Sequence, residues 1–333
     1  MPTTATRPRT ARRLSGLKPT GHLQLGNHLG AIRPMVQAQH HCDSVVLVVD
    51  LHALTVRHDP ARLRALTTEQ ATVLLAAGVD PDRTACYVQS HVPEHLELHY
   101  LLECATGYGE ARRMIQFREK ASTQEHVRLS LLTYPVLMAA DILLHDTEEV
   151  PAGDDQAQHL ELTRHVAQRF NARYGDTFVV PRAVNPPVAA RIMDLTDPTA
   201  KMGKSAAAAG TLYLLDPPDV LRRKVMRAVT DPQAEVRYDP AAKPGVSNLL
   251  EILASCCGQD PAALSGQFGS YGELKSAVAD AVVAVLRPIQ ARHAELAREP
   301  DRVEAALRGG AQRARERAVA TVRRAKEALG LRL

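Results

Sequence analysis

There is no tryptophan in the 333 residues and there are only four phenylalanines, so the chain lacks the aromatic platform on which single-stranded nucleic acids stack. Five cysteines, at 42, 86, 104, 256 and 257, contain no Cys-x-x-Cys spacing, which argues against a zinc knuckle or a disulfide framework. A reducing cytoplasmic location is the plain expectation. No run approaches about 18 uncharged apolar residues, and no n-region with a hydrophobic stretch opens the chain, so no membrane association is expected. Covalent catalysis also lacks a signature, because Ser15, Ser90 and Ser205 sit in no Gly-x-Ser-x-Gly context. A reaction in which one substrate attacks the phosphate of another needs placement and charge stabilisation instead. The formal charge of +4, with a pI near 8.8, permits a polyanionic partner without demonstrating one.

What is present is an alternation of elements. Val45 to Asp50 is a continuous β-branched run of the kind found in a strand covered on both faces, and a helical stretch from about Pro60 to Ala77 follows. The turn Gly78-Val-Asp-Pro81 leads to a second strand over Thr84 to Gln89. Helical periodicity then runs from about 93 to 146 and from 156 to 171. Short strands feeding long helices predict an α/β fold with a parallel sheet. Beyond Asp219 only helices are read, including 219 to 229, 247 to 256 and 274 to 287. In the last, over 311 to 329, Ala311, Arg315, Ala318, Val322, Ala325 and Leu329 form a mostly apolar stripe expected to pack inward. Six basic and two acidic residues lie in 311 to 328, a surface that suits either a phosphate backbone or plain solvent.

Two segments suit a polyphosphate. Pro19-Thr20-Gly21 turns the chain into a helix starting near His22 to Leu25, where Gly26 and Gly30 allow close approach, Lys18 adds charge and free N–H groups face outward. Simple packing of small residues explains the same letters, and the segment lacks the Gly-x-Gly-x-x-Gly and P-loop patterns. In Lys201-Met-Gly-Lys-Ser205, two ammonium groups flank a bendable Gly203 and suit shifting phosphate charge, although short basic loops are commonly just solvated.

Between them, Leu129 to Leu144 is a helical-looking stretch after Pro135 whose only charge is Asp141. A carboxylate in such a stretch is expected to be buried and to need donors. Tyr134 precedes the helix and Met138 lies one turn before Asp141, a setting that suits an aromatic ring bearing an N–H or O–H. A carboxylate that caps backbone or pairs with arginine is the alternative. Gly153 to His159 turns into the next helix, where Asp154 or Asp155 can cap and Gln156 can offer an amide to an amino acid. Asp50 and His52 end a strand at the edge where open parallel sheets place ligands, whereas His40-His41-Cys42 lacks partners at metal spacing and reads as surface.

These segments resemble, in order and spacing, the class I aminoacyl-tRNA synthetases, specifically the bacterial tryptophanyl-tRNA synthetase family. Leu14 to Ala31 is similar to the first signature, with Gln24-Leu-Gly-Asn27 in the place of its four-residue core, and Lys201 to Ser205 is similar to the second. Val49 to Thr55, Arg112 to Arg118, Leu132 to Leu143, Gly153 to His159 and Lys243 to Leu249 extend the likeness over about 12 to 330. Residues 1–13, rich in Thr, Pro and Arg with nothing to pack, read as a disordered basic tail, and the resemblance implies a Rossmann-type parallel-sheet catalytic domain over 14–192. It also implies an all-helical second domain for the anticodon with its connector over 193–290, and terminal helices at 291–333 packing back toward the catalytic side. It implies a homodimer that activates L-tryptophan with ATP and Mg2+ and charges tRNA(Trp). By the same resemblance Asp141 accepts the indole N–H beside Met138, while His52, Tyr134 and Gln156 line and orient tryptophan. Lys18, Thr20, Gly26, Asn27, Asp154, Lys201, Met202, Lys204 and Ser205 are the expected ATP contacts, and Lys201, Lys204 and Gln24 the catalytic ones.

The spelling departs from the family at four places. Gln24 stands where His or Thr is usual, Gly203 where Ser is usual, Lys18 where Gln is common and Ala152 where a larger aliphatic is common. An active enzyme with shifted inhibitor sensitivity or ATP affinity is expected. Tyrosyl-tRNA synthetase is the nearest alternative, since Asp141 would accept a phenol equally well. A nonenzymatic tryptophan- or ATP-binding regulator on the same fold is the other.

Overall fold

The computed structural model describes residues 10–122, 126–184, 192–203 and 209–332. Strand β1 (Arg12–Leu17) leads through a short helical segment α1 (Leu25–Asn27) and a π-turn (His28–Ile32) into α2 (Arg33–Ala38). Strand β2 (Asp43–Val48), a 3₁₀ turn (Leu51–Thr55), helix α3 (Pro60–Ala76) and strand β3 (Ala85–Val88) follow. Next come α4 (Glu94–Glu103), α5 (Tyr108–Arg113), α6 (Ile115–Ala121) and α7 (Leu129–Leu143). The sheet is completed by β4 (Glu149–Pro151), α8 (Asp154–Tyr174) and β5 (Arg182–Val184). Helices α9 (Pro218–Met226), α10 (Pro244–Cys257), α11 (Tyr271–Leu296) and α12 (Pro300–Ala328) form the rest. The five strands are parallel in the order β3-β2-β1-β4-β5, so the chain changes direction of winding between β1 and β4, where such sheets open a crevice.

The sheet divides two apolar cores, and β2 explains why its sequence is apolar throughout. Val46 and Val48 point into one core with α3, α10 and α11, while Val45 and Leu47 point into the other with α4, α7 and α8. The basic segment at 12–13 is strand rather than tail. Arg12 pairs with Asp43 at 2.9 Å and Arg13 with Glu149 at 2.5 Å, partners that neighbouring strands supply and local sequence cannot reveal. Helix α7 also differs from expectation: it starts at Leu129, so Tyr134 lies within it and Pro135 interrupts one hydrogen bond only. Burial of Leu131, Val136 and Leu137 on either side holds the helix together across that gap.

Helix α12 starts at Pro300 and spans both cores, with Val303 and Leu307 in the first and Ala311, Ala314, Ala318, Val322 and Ala325 in the second. Ala314, not Arg315, belongs to the inward stripe; Arg315 is exposed and reaches Glu94 at 2.8 Å. The helix crosses the edge strand β3 and shields it from pairing with another chain. Its six basic residues between 311 and 328 all meet partners on the same molecule. Arg313 donates to the Pro81 and Thr84 carbonyls, Arg317 meets Asp43, Arg324 meets Asp146, Lys326 meets Glu97 and Arg323 lies near Glu327. The phosphate-backbone reading of this helix is thereby weakened.

Candidate active site

The carboxyl edge of the sheet gathers the loops that carry polar groups. After Leu17 ends β1, Thr20 donates to the Lys18 carbonyl at 3.0 Å and turns the chain. Gln24, in extended conformation and 4% exposed, caps α1. Its Oε1 accepts the N–H groups of Gly26 and Asn27, while Asn27 Oδ1 accepts from the Gln24 N–H at 3.2 Å. The N–H groups expected to face a phosphate are therefore already engaged by a side chain. Gln24 Nε2 also donates to the Met202 carbonyl at 3.0 Å, so one amide ties the first signature to the second.

The stem of the second signature is held from several sides. Lys201 bridges to Met193, Met202 is 3% exposed and its N–H donates to Ile192 at 3.2 Å. Asn248 of α10 brackets Met193, accepting from its N–H at 2.9 Å and donating to its carbonyl at 3.0 Å. Leu25 N donates to Leu212 O at 2.8 Å and Leu214 N to Leu23 O at 3.0 Å, which stitches the segment beyond the loop back to the first signature. Lys204, Ser205 and the Asp154 side chain lie outside the described residues.

Asp141 of α7 is 3% exposed and surrounded by donors, as its sequence context predicts. Its Oδ1 accepts from Gln89 Nε2 at 2.6 Å and from His95 Nδ1 at 2.7 Å; its Oδ2 accepts from His52 Nε2 at 2.8 Å. Burial alone would raise its pKa, but the hydrogen bonds from His52 and His95 outweigh it and hold the carboxyl well below the usual range. The group is a carboxylate, and Oδ2, with one partner among the described residues, keeps capacity to accept another. His52 is held by the 3₁₀ turn after β2 and faces the Tyr134 ring edge-on at 6.3 Å. Tyr134 Oη lies 2.8 Å from His159 Nε2 and donates to Gln116 at 3.2 Å, and burial pushes its hydroxyl up to about 12. Met138 is half-buried in the adjoining core, and Gln156 is half-buried on the α8 face that carries His159.

His52, Tyr134 and Asp141 are thus brought together, as are Gln24, Gly26, Asn27 and Met202. Asp50 proves to be a structural clamp: it caps the 3₁₀ turn and accepts from Ser90 N–H at 3.0 Å and Ser90 Oγ at 2.6 Å. Sequence reading missed Gln89, His95, Tyr87, His145 and Asn248; His145, directly after Leu143-Leu144, carries a local signal, whereas His95 stands between Glu94 and Leu96 with none. A cavity of about 230 Å3 beside His22, Leu23, Glu69, Val73 and Tyr213 to Asp216 shares no residue with the Asp141 cluster. A buried carboxylate with spare accepting capacity is the stronger mark of a recognition site than that surface hollow.

Known proteins resemble the chain over nearly all of its length. Residues 6–287 match the family model described as tRNA synthetases class I (W and Y). The tryptophan–tRNA ligase 1 of Streptomyces avermitilis is 60% identical over 326 residues, covering 96% of this chain and 98% of that protein. The structure of tryptophanyl-tRNA synthetase from Mycoplasma pneumoniae superposes with a TM-score of 0.89 at 35% identity, covering 97% of this chain and 98% of that one. That from Campylobacter jejuni, complexed with ADP and tryptophan, gives 0.81 at 30% identity, covering 96% and 100%. With most of its length matched by the family model and nearly all of it by such relatives, the chain belongs to the class I tRNA synthetases of the W and Y group.

Proposed function

We propose that the chain is a tryptophan–tRNA ligase. The L-tryptophan carboxylate attacks the α-phosphorus of ATP and pyrophosphate leaves, giving tryptophanyl-adenylate; a hydroxyl of the terminal ribose of tRNA(Trp) then displaces AMP. The observation that carries the reading is the buried Asp141 carboxylate, flanked by His52 and Tyr134 at the edge where the first signature also emerges. Oδ2 accepts the indole N–H, Met138 flanks the ring, and Gln156 orients the amino acid. Lys18, Thr20, Gly26, Asn27 and Asp154 approach ATP. Met202, Lys201, Lys204 and Ser205 close on its phosphates, with the lysine charges stabilising the departing pyrophosphate. Magnesium arrives with ATP as part of that substrate and balances the same charge.

Gln24 acts through position. Its amide joins the first signature to the Met202 carbonyl of the second, and its side-chain oxygen caps the Gly26 and Asn27 N–H groups. A homodimer fits the exposed Leu96, Tyr100, Tyr108, Ile115 and Leu129, which lie on the mutually contacting α4 to α7 group. Among the described residues no helix is long and apolar enough to cross a membrane, and the proposed setting is the cytoplasm, where tRNA is charged. The anticodon falls to the helical second part. Tryptophan-dependent ATP–pyrophosphate exchange followed by charging of tRNA(Trp) tests the whole reading. Asp141→Asn is expected to lower kcat/KM for tryptophan by about a hundredfold, since a charged acceptor is lost from a desolvated site. Exchange with tyrosine in place of tryptophan would overturn the assignment.

A further inference from the structure

Behind Asp141 lies a chain of buried groups that the proposed reaction does not touch. Tyr87 of β3, His95 of α4 and His145 just past α7 are each 0% exposed. Tyr87 Oη lies 2.8 Å from His95 Nε2 and 2.6 Å from His145 Nε2, and His95 Nδ1 lies 2.7 Å from Asp141 Oδ1. Three elements from different parts of the sequence thus meet in a polar run inside the apolar core on that side of the sheet. A core that needed only packing would fill this volume with leucine or phenylalanine and avoid desolvating three polar side chains.

The contacts fix a direction. The Asp141 carboxylate only accepts, so His95 Nδ1 donates to it, which leaves His95 Nε2 to accept from the Tyr87 hydroxyl. Tyr87 Oη in turn accepts from His145 Nε2–H, leaving His145 Nδ1, which has no partner among the described residues, as a bare lone pair. The reverse direction would bury an unpaired N–H at that position, the costlier outcome. Burial raises the Tyr87 hydroxyl well above its ordinary value, and burial, with the charge of Arg317, holds His145 well below its own. Both groups therefore keep the states that the direction requires.

We infer that Tyr87, His95 and His145 are positioning residues for amino-acid recognition: a one-way run of hydrogen bonds that keeps Asp141 a carboxylate of fixed orientation, tuned to a substrate ring that presents an N–H. The inference rests on the tryptophan reading above and deepens it. Bonds in such a run polarise one another, so removing the distant hydroxyl is felt at Oδ2 without altering any group that touches the substrate.

The test pairs a protein deletion with a substrate deletion. Pyrophosphate exchange is measured with tryptophan and with β-(3-benzothienyl)alanine, which keeps the ring shape and lacks the N–H. For Tyr87→Phe the expected result is a rise in KM for tryptophan of about tenfold, with kcat and KM for ATP unchanged and the benzothienyl analogue affected less than about twofold. An equal loss on both amino acids, or no loss on tryptophan, overturns the inference and leaves the cluster a structural one. Should Tyr87→Phe not fold, His145→Leu is judged by the same ratio, with His145→Gln, which restores a donor, expected to recover tryptophan discrimination. Absence of tryptophan exchange in the unaltered protein would sink the functional reading and the relay together, whereas exchange with unchanged ratios in the variants sinks the relay alone.

Discussion

Gln24 shows how much one side chain can be asked to do. Its carbonyl end caps a three-residue helix and its amide end holds the Met202 carbonyl, so it joins segments 178 residues apart in sequence. Sequence could point to this position, because it falls in the first signature, but not to what the amide holds, since Met202 comes close only after the intervening fold is complete. The same limit applies to Asp141. A single charge in a run of leucines and alanines announces burial, whereas the identity of its donors, His52, His95 and Gln89, depends on three separate loops and helices. Gln24→Ala should lower stability by about 1 kcal/mol through the lost cap. It should also lower kcat for exchange by about tenfold, because the second signature loses its tether. Thermal melts and steady-state exchange read the two effects separately; wild-type kcat in a protein with a reduced Tm would dissociate the cap from catalysis.

At the scale of elements, legibility follows the local apolar pattern. β2 is readable as a continuous β-branched run and α8 by its helical period, while the start of α12 is not, since it opens on Pro300, Asp301 and Arg302 before its first buried residue, Val303. Helix α12 also contains the Gly309-Gly310 pair, whose two members face different surroundings. A Cβ on Gly310 would stand 2.0 Å from the Cys86 carbonyl oxygen, whereas one on Gly309 would meet only the Arg313 side chain at 3.7 Å. Gly310 is what lets the helix lie directly across β3. Gly310→Ala should therefore destabilise the protein by at least about 2 kcal/mol, through forced separation of α12 from the strand. Gly309→Ala should stabilise it by about 0.5 to 1 kcal/mol through reduced freedom of the unfolded chain. Urea titrations of both variants decide the matter, and matching effects of one sign would show that the crossing is not set by contact with β3.

Across the whole molecule, polar groups drawn into the two cores tie stability to pH. His28 is 6% exposed, with no partner for its Nδ1 among the described residues; burial, and then the charge of Arg33, lower its pKa to about 4. His145 is lowered too, chiefly by burial. In the unfolded chain both rings take up a proton as pH falls through the ordinary value of 6.5, and in the folded chain they do not. The contribution of each is therefore complete above that value and falls away as pH drops below it, that of His28 being lost by about pH 4. The slope approaches roughly 1.4 kcal/mol per pH unit for each proton where the unfolded ring is charged and the folded one neutral. A second loss follows at lower pH. Burial would raise the pKa of Asp231, but hydrogen bonds from Lys243 and Tyr271 overcome this and hold it near 2, so its contribution disappears as pH falls from the usual carboxylate range toward that value. Unfolding free energy measured from pH 8 to pH 3 should stay level to about 7, decline through 6 and 5, and drop further below 4. In His28→Leu the decline between 6.5 and 4 should be shallower while the drop below 4 is retained, and an unchanged slope in that variant would remove His28 from the account.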